Sequence, residues 1–286
     1  MKIHYWNDNL KCPKGNFGDE LNLWIWPKLI PDIAESKDDG LLVGIGTVIN
    51  DSLFSTSHKV AIFGSGVGYG QTPKINESWR IYCLRGPRTA SALQVNPELA
   101  VTDAALLVRS CYSSNNSNQD LEKSILFMPH WQTPRFLWER ACQQIGFTYV
   151  DPSDAIEDIL LKISQAKFVI TEAMHGAIVA DALRVPWIPI STRPSINTFK
   201  WLDWCDSMQI EYKPVNLYWK RFTVNSISQE NPLTSLALIL ATQGLNWIAN
   251  SVTPKLSEEK VLIQKEKLLH QKLDEFRLDW QNGLFN

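Results

Sequence analysis

Short apolar runs that end in a glycine loop or a helix start recur over the first two hundred residues, and this rhythm constrains the fold more than any other feature. KIHYW (2–6), LLVGIG (41–46), KVAIFGSG (59–66), RIYCLRG (80–86) and LAVTDAALLV (99–108) form one series. SILFMPH (124–130), FTYVDP (147–152), FVITEA (168–173) and VPWIPIS (185–191) form another. Runs this short and this apolar suit strands covered on both faces, in a parallel sheet whose crossovers carry helices. Helical patterns fill the second series at TPRFLWERACQQIG (133–146), SDAIEDILLKISQA (153–166) and Gly176 to Arg184. The expected class is α/β, with two Rossmann-like units.

A chain of 286 residues exceeds a single ordinary core, so two domains are expected. The Ser/Asn-rich stretch CYSSNNSNQD (111–120) lacks apolar periodicity and reads as the linker between them. This gives an N-terminal domain over 1–118, a C-terminal domain over 119–232 and a helical extension over 233–286. In the extension, Leu262, Leu269, Leu273 and Phe276 make one apolar stripe on a charged helix. The stripe predicts packing along the body and onto the first domain; a coiled-coil dimer is the alternative, and the oligomeric state stays open.

Lys and Arg number 28 against 30 Asp and Glu, so the chain carries no basic field of the kind nucleic acid requires. The opening MKIHYW runs into polar residues, and no run reaches the roughly 18 apolar residues of a membrane span. A cytoplasmic protein with neither signal peptide nor span is expected, with peripheral membrane association left open. Five cysteines without a C-x-x-C pair indicate reduced thiols and offer no metal framework; no metal ligand and no cofactor are expected from the residues, and metal dependence stays open. The twelve tryptophans are expected mainly in cores.

His175 stands where FVITEA gives way to a helix. Loops leaving the C-terminal ends of parallel strands form the ligand crevice of open α/β sheets. With the helix starting at Gly176 and Ala177, small residues would let an anion approach its first N–H groups. An imidazole there suits a proton donor; a structural histidine fixing the turn is the alternative. In LRGPRTA (84–90), Arg85 and Arg88 sit at a strand end with Pro87 opening a helix, and a guanidinium fork fits a carboxylate or phosphate. Salt bridging is the competing role, and suits Arg88 better. In GNFGDELN (15–22), Asp19 either caps a helix or acts on a sugar hydroxyl, with Asn16 and Gly18 as substrate contacts. Asp103 carries the same ambiguity with a structural role favoured. GSGVGYG (64–70) is followed by no helix signal and no suitably spaced acid, which argues against dinucleotide binding. Arg193 and Lys200, with Trp201 and Trp204, suggest a wall for an acidic sugar or phosphate, or an exposed loop.

GNFGDELN, LLVGIGTVIN, AIFGSGVGYG, RGPRTA, VTDAALL and TEAMHGAIVADALRVPWIPI, in this order over about residues 12 to 205, resemble the polysaccharide pyruvyl transferase family, in its exopolysaccharide ketal-forming branch. The resemblance implies a GT-B-like fold of two Rossmann-like domains across a cleft. It implies phosphoenolpyruvate as donor, and two hydroxyls of a hexose in a glycan acceptor, lipid-linked or polymeric, as acceptor. It implies His175 as the acid/base and Arg85 on the donor. Ala173 stands where several relatives carry an arginine, so Arg193 or Lys200 is the candidate replacement cation. VTDAALL also departs from the commoner Gly-Asp-Pro form. Two alternatives remain: a GT-B glycosyltransferase with Glu172 on a nucleotide ribose, and a non-catalytic sugar- or phosphate-binding relative.

Overall fold

A computed structural model describes residues 1–7, 10, 12, 15–33, 35–36, 38–51, 53, 58–113, 123–217 and 232–285. Most of the Ser/Asn-rich linker, residues 114–120, lies outside them. In chain order the elements begin β1 (Lys2–His4), α1 (Phe17–Leu29), β2 (Leu41–Val43), β3 (Val60–Phe63), β4 (Trp79–Cys83), α2 (Pro87–Leu93) and α3 (Val108–Cys111). They continue with β5 (Ile125–Met128), α4 (Arg135–Ile145), β6 (Thr148–Tyr149), α5 (Ile156–Ser164), β7 (Phe168–Thr171), α6 (Met174–Ala182) and β8 (Trp187–Ser191). The last are α7 (Thr198–Ser207), β9 (Val215–Asn216), α8 (Pro232–Ser251) and α9 (Glu259–Gln281).

The chain divides into two compact units. Unit 1 holds Met1–Ser113, Asn197–Tyr212 and Ser257–Asn286; unit 2 holds Ser114–Ile196 and Lys213–Leu256. This differs from a split into three contiguous blocks, because α7 and α9 return to unit 1 while α8 stays with unit 2. The physical reason lies in the apolar faces. α9 carries Leu262, Leu269, Leu273 and Phe276 fully buried, with Phe276 edge-on to Tyr82 of β4 at 5.3 Å. Arg109 pairs with Glu266 at 3.1 Å, and Tyr82 donates to Asp279 at 2.7 Å. Each covered leucine or ring contributes roughly 1.5–3 kcal/mol relative to exposure. The apolar stripe therefore seats the helix on its own chain.

Unit 1 is built on a four-stranded parallel sheet, ordered β1-β2-β3-β4. Every residue of β2 and β3 is buried, as continuous apolar strands require. The expected strand LAVTDAALLV does not form. It supplies a single parallel bridge, Leu84 to Ala100, and then a 3-10 helix over Ala104–Leu107. Asp103 starts that helix by accepting from the Ala105 N–H at 2.9 Å, which turns the chain out of extended conformation.

Unit 2 carries a five-stranded parallel sheet, ordered β6-β5-β7-β8-β9. One face is sealed by α4 and α8, whose Leu137, Trp138, Ala141, Ala237, Ala241, Leu245 and Ile248 share a core with Phe127, Ile170 and Ile188. The helix α6 leaves β7, is buried along nearly all its length, and is tied to β8 where the Trp187 indole donates to Asp181 at 3.1 Å. Both sheets are thus parallel and helix-covered, the α/β class expected from the runs.

Candidate functional site

In unit 2 the C-terminal ends of three neighbouring strands, β5, β7 and β8, bring together the groups best suited to chemistry. The order β5-β7-β8 makes their exit loops adjacent: His130 follows β5, Glu172 and His175 follow β7, and Thr192 and Arg193 follow β8. Glu172 is the knot. Buried at the sheet end, its Oε2 accepts from the His130 N–H at 3.2 Å and the Thr133 hydroxyl at 2.5 Å. Its Oε1 accepts from the Thr192 N–H at 2.6 Å and hydroxyl at 2.8 Å. A carboxylate accepting four hydrogen bonds is held in place and costs little to bury. It is also unsuited to the ribose of a nucleotide sugar, the use that the rival enzyme class would need.

His175 occupies the second helical position of α6, half-buried, with Ala173 as the N-cap residue. The helix starts two residues before the expected Gly176. The Thr171 hydroxyl accepts the Ala173 N–H at 3.0 Å, which fixes the residue before the first turn, while no side chain caps the turn itself. The imidazole therefore rides on the first turn itself, where helix geometry presents N–H groups and partial positive charge. Gly176 has a packing task beside the anion approach expected of it. A Cβ there would stand 2.8 Å from the Met128 sulfur and from the Thr171 hydroxyl, so its missing side chain seats α6 on the strand ends.

Arg193 is part-exposed, and its Nη2 lies 2.6 Å from Nδ1 of His130. A guanidinium only donates, so Nδ1 of His130 is the acceptor and the neutral ring carries its proton on Nε2. The Gln132 N–H also points at this nitrogen, at 3.2 Å. Sequence reasoning passed over His130, although its signal was visible: a histidine closing the apolar run SILFMPH at a strand end.

The expected residues of unit 1 sit in differing surroundings. Arg85 has no exposed surface; its Nε donates to Asp203 at 2.9 Å, Nη1 to the Thr47 hydroxyl at 2.7 Å and Nη2 to the Val67 carbonyl at 2.8 Å. With all three nitrogens engaged in this way Arg85 holds unit 1 together, and the donor contact expected of it from the sequence requires one of these bonds to open. Arg88 pairs with Asp206 at 2.7 Å on the surface, the salt bridge anticipated for it. Lys200 lies in unit 1, with its ammonium 5.8 Å from the Tyr69 ring, while Arg193 lies in unit 2. Trp201 and Trp204 are sealed in the core and form no sugar-stacking wall, because STRPSINTFKWLDW runs into the helix α7.

At the start of α1, Asn16 is the N-cap residue and Asp19 the third helical residue, so Asp19 is not the cap itself. Asn16 Nδ2 donates to Asp19 Oδ2 at 2.6 Å, and Asp19 Oδ1 faces Gly46, 3.2 Å from where a Cβ would stand. Gly18 is buried within the first turn. Glu20 beside them has its carboxyl pushed above the usual range by burial and by the Asp19 charge. Asp103 starts a 3-10 helix, the structural role favoured for it. After the glycines of 64–70 the chain reaches β4 without a helix, so the loop lacks the following helix of a dinucleotide-binding motif; it is held instead by the starts of α2 and α7, where the Val67 N–H donates to Thr89 at 3.3 Å and Asn197 donates to the Gly68 carbonyl at 2.7 Å. Among the described residues no group of three or more His, Cys, Asp and Glu is placed to hold a metal ion, and no helix is long and apolar enough to cross a membrane.

A family model described as polysaccharide pyruvyl transferase matches residues 103–194, a span that takes in His130, Glu172, His175 and Arg193. No solved structure matches the chain. The succinoglycan biosynthesis protein ExoV of Rhizobium meliloti (strain 1021) is 41% identical over 217 residues, covering 75% of this chain and 67% of that protein. Likeness of this extent, together with a family match lying over the strand ends of unit 2, shows that the chain belongs to the polysaccharide pyruvyl transferase family, and is a pyruvyl transferase.

Proposed function

We propose that this enzyme transfers the enolpyruvyl unit of phosphoenolpyruvate to two hydroxyls of a hexose in a surface-polysaccharide precursor. The relative named for succinoglycan biosynthesis makes an exopolysaccharide glycan the natural acceptor class. One hydroxyl oxygen bonds to C2 while C3 receives a proton and becomes a methyl group. The second hydroxyl oxygen then bonds to C2 as the C2–O bond to phosphate breaks. Of the two hydroxyl protons released, one balances that delivered to C3 and the other leaves with phosphate. A lipid-linked acceptor, action in the cytoplasm and a GT-B-like pairing of the two units belong to the same proposal.

What most supports this reading is the position of His175 and Arg193 at the ends of adjacent parallel strands, within the span matched by the family. Protonation at C3 generates a cation-like centre at C2, so a general acid and a held anion act together. His175, on the first turn of α6, serves as the acid. Arg193 and the α6 N-terminus hold the carboxylate and phosphate, with Arg193 supplying the cation that Ala173 lacks. Asp19, with Asn16 and Gly18, remains the candidate for the acceptor hydroxyl, and Lys200 a further acceptor contact.

The test is phosphate release from phosphoenolpyruvate by the purified protein, with and without a lipid-linked glycan carrying a free hexose diol. Release that requires the glycan, with a mass gain matching one pyruvate ketal, is expected. Transfer from a nucleotide sugar with no phosphate released from phosphoenolpyruvate would overturn the reading.

A further inference from the structure

We propose that His130 is a positioning residue for the donor site, acting as the hydrogen-bond acceptor that fixes the guanidinium of Arg193; this rests on the donor role given to Arg193 above. A ring of contacts links the two. Glu172 grips the β5 exit loop through the His130 N–H and the Thr133 hydroxyl, and grips the β8 exit loop through Thr192. Arg193 follows Thr192 directly, and its Nη2 reaches back across to Nδ1 of His130 at 2.6 Å. The backbones at both ends of this contact are therefore pinned by one buried carboxylate, and the side-chain contact closes the ring.

The chemistry of the pair is one-directional. Arginine has five donors and no acceptor, so only an unprotonated ring nitrogen can receive it. A planar fork with one donor committed to a fixed acceptor has its plane set before substrate arrives, which lowers the ordering cost of gripping a planar carboxylate or a phosphate. Ser191 braces the same loop, its hydroxyl donating to the Arg193 carbonyl at 2.7 Å. The histidine is thus a part of the site that touches its cation rather than the reacting atoms.

The experiment compares wild type, His130→Asn, His130→Leu, Arg193→Ala and the His130→Leu/Arg193→Ala double variant, each as the full chain. Asparagine keeps an acceptor near the place of Nδ1; leucine keeps bulk and removes it. Phosphoenolpyruvate binding is measured by calorimetry, turnover by acceptor-dependent phosphate release, and folding by thermal melting. The expectation is a rise of about tenfold in the donor Kd and KM for His130→Leu, larger than its effect on kcat, the size of one lost charge-assisted hydrogen bond. Asparagine should restore most of it, and leucine should add little once Arg193 is gone. Equal Kd values for wild type and leucine, equal losses for asparagine and leucine, or multiplying losses in the double variant would overturn the inference. If the leucine variant melts early, His130→Gln, which moves the acceptor without removing polarity, must weaken binding at an unchanged melting temperature. Wild type that binds no phosphoenolpyruvate would overturn the donor reading itself, whereas wild type that binds it while all His130 variants bind equally sinks only the positioning role.

Discussion

Arg85 donates to Asp203 at 2.9 Å with neither side chain exposed, joining the strand-end loop after β4 to the helix α7 across 118 residues of sequence. The Asp203 carboxylate also takes the Thr89 N–H at 2.9 Å and hydroxyl at 2.6 Å, so it is fully engaged inside unit 1. Removing one partner of such a pair leaves a buried charge uncompensated, at a cost of about 3–5 kcal/mol. Arg85→Ala should therefore lower stability by that order in denaturant titration. Arg88→Ala, which breaks only the exposed pair with Asp206, should cost under about 1 kcal/mol. An Arg85→Ala protein as stable as wild type but with a raised KM for phosphoenolpyruvate would return this arginine to the donor.

Gly86 sits against the same helix. A Cβ there would overlap the carbonyl of Asp203, and the backbone of α7 has no flexible end to yield. Its φ of −171° is extended and open to any residue, so space alone demands glycine. Gly86→Ala should destabilise by roughly 3 kcal/mol or more, or fail to accumulate folded protein. A melting temperature within a degree or two of wild type would refute the docking of α7 on α2.

His175→Ala tests the acid. It should cut turnover by a factor of about 100 or more, while the half-buried position keeps the stability change near 1 kcal/mol. Turnover close to wild type, with the fold intact, would remove His175 from the proton transfer.

The cysteines offer a test of the burial assigned to each unit. Burial pushes the Cys142 thiol up to about 12 and the Cys111 thiol up to about 11, and raises the Cys83 thiol as well. With almost no thiolate at about pH 8, Cys83 and Cys142 should resist a disulfide reagent until the protein unfolds, and part-exposed Cys12 should react first. Fast native labelling of Cys83 or Cys142 would contradict the packing of β4 or α4.

Strands were the legible part of this fold because a doubly covered parallel strand leaves a nearly unbroken apolar run, as in FVIT and VAIF. Helix starts were less so. The helix α6 begins after Ala173, which has no capping side chain, and the first familiar signal downstream was the glycine at 176. The helix α7 did leave a mark that was misread: Trp201, Trp204, Cys205 and Met208 recur at helical spacing, and all four are buried. Their neighbours Arg193 and Lys200 drew attention to charge instead of period. The site was half visible. His175 stood out as a histidine at a strand end, whereas the partnership of Arg85 with Asp203 depends on a return of the chain that no local pattern encodes. His130 was hidden for a similar reason, since its meaning comes from Arg193 on another loop.

The most direct measurement is the isotope content of the product formed in deuterated water. Addition of a sugar hydroxyl to C2 requires a solvent-exchangeable proton at C3, so the ketal methyl group should carry one deuterium by mass spectrometry, and His175→Ala should slow its appearance. A ketal whose methyl gains no deuterium, or pyruvate transfer without release of phosphate, would contradict the account.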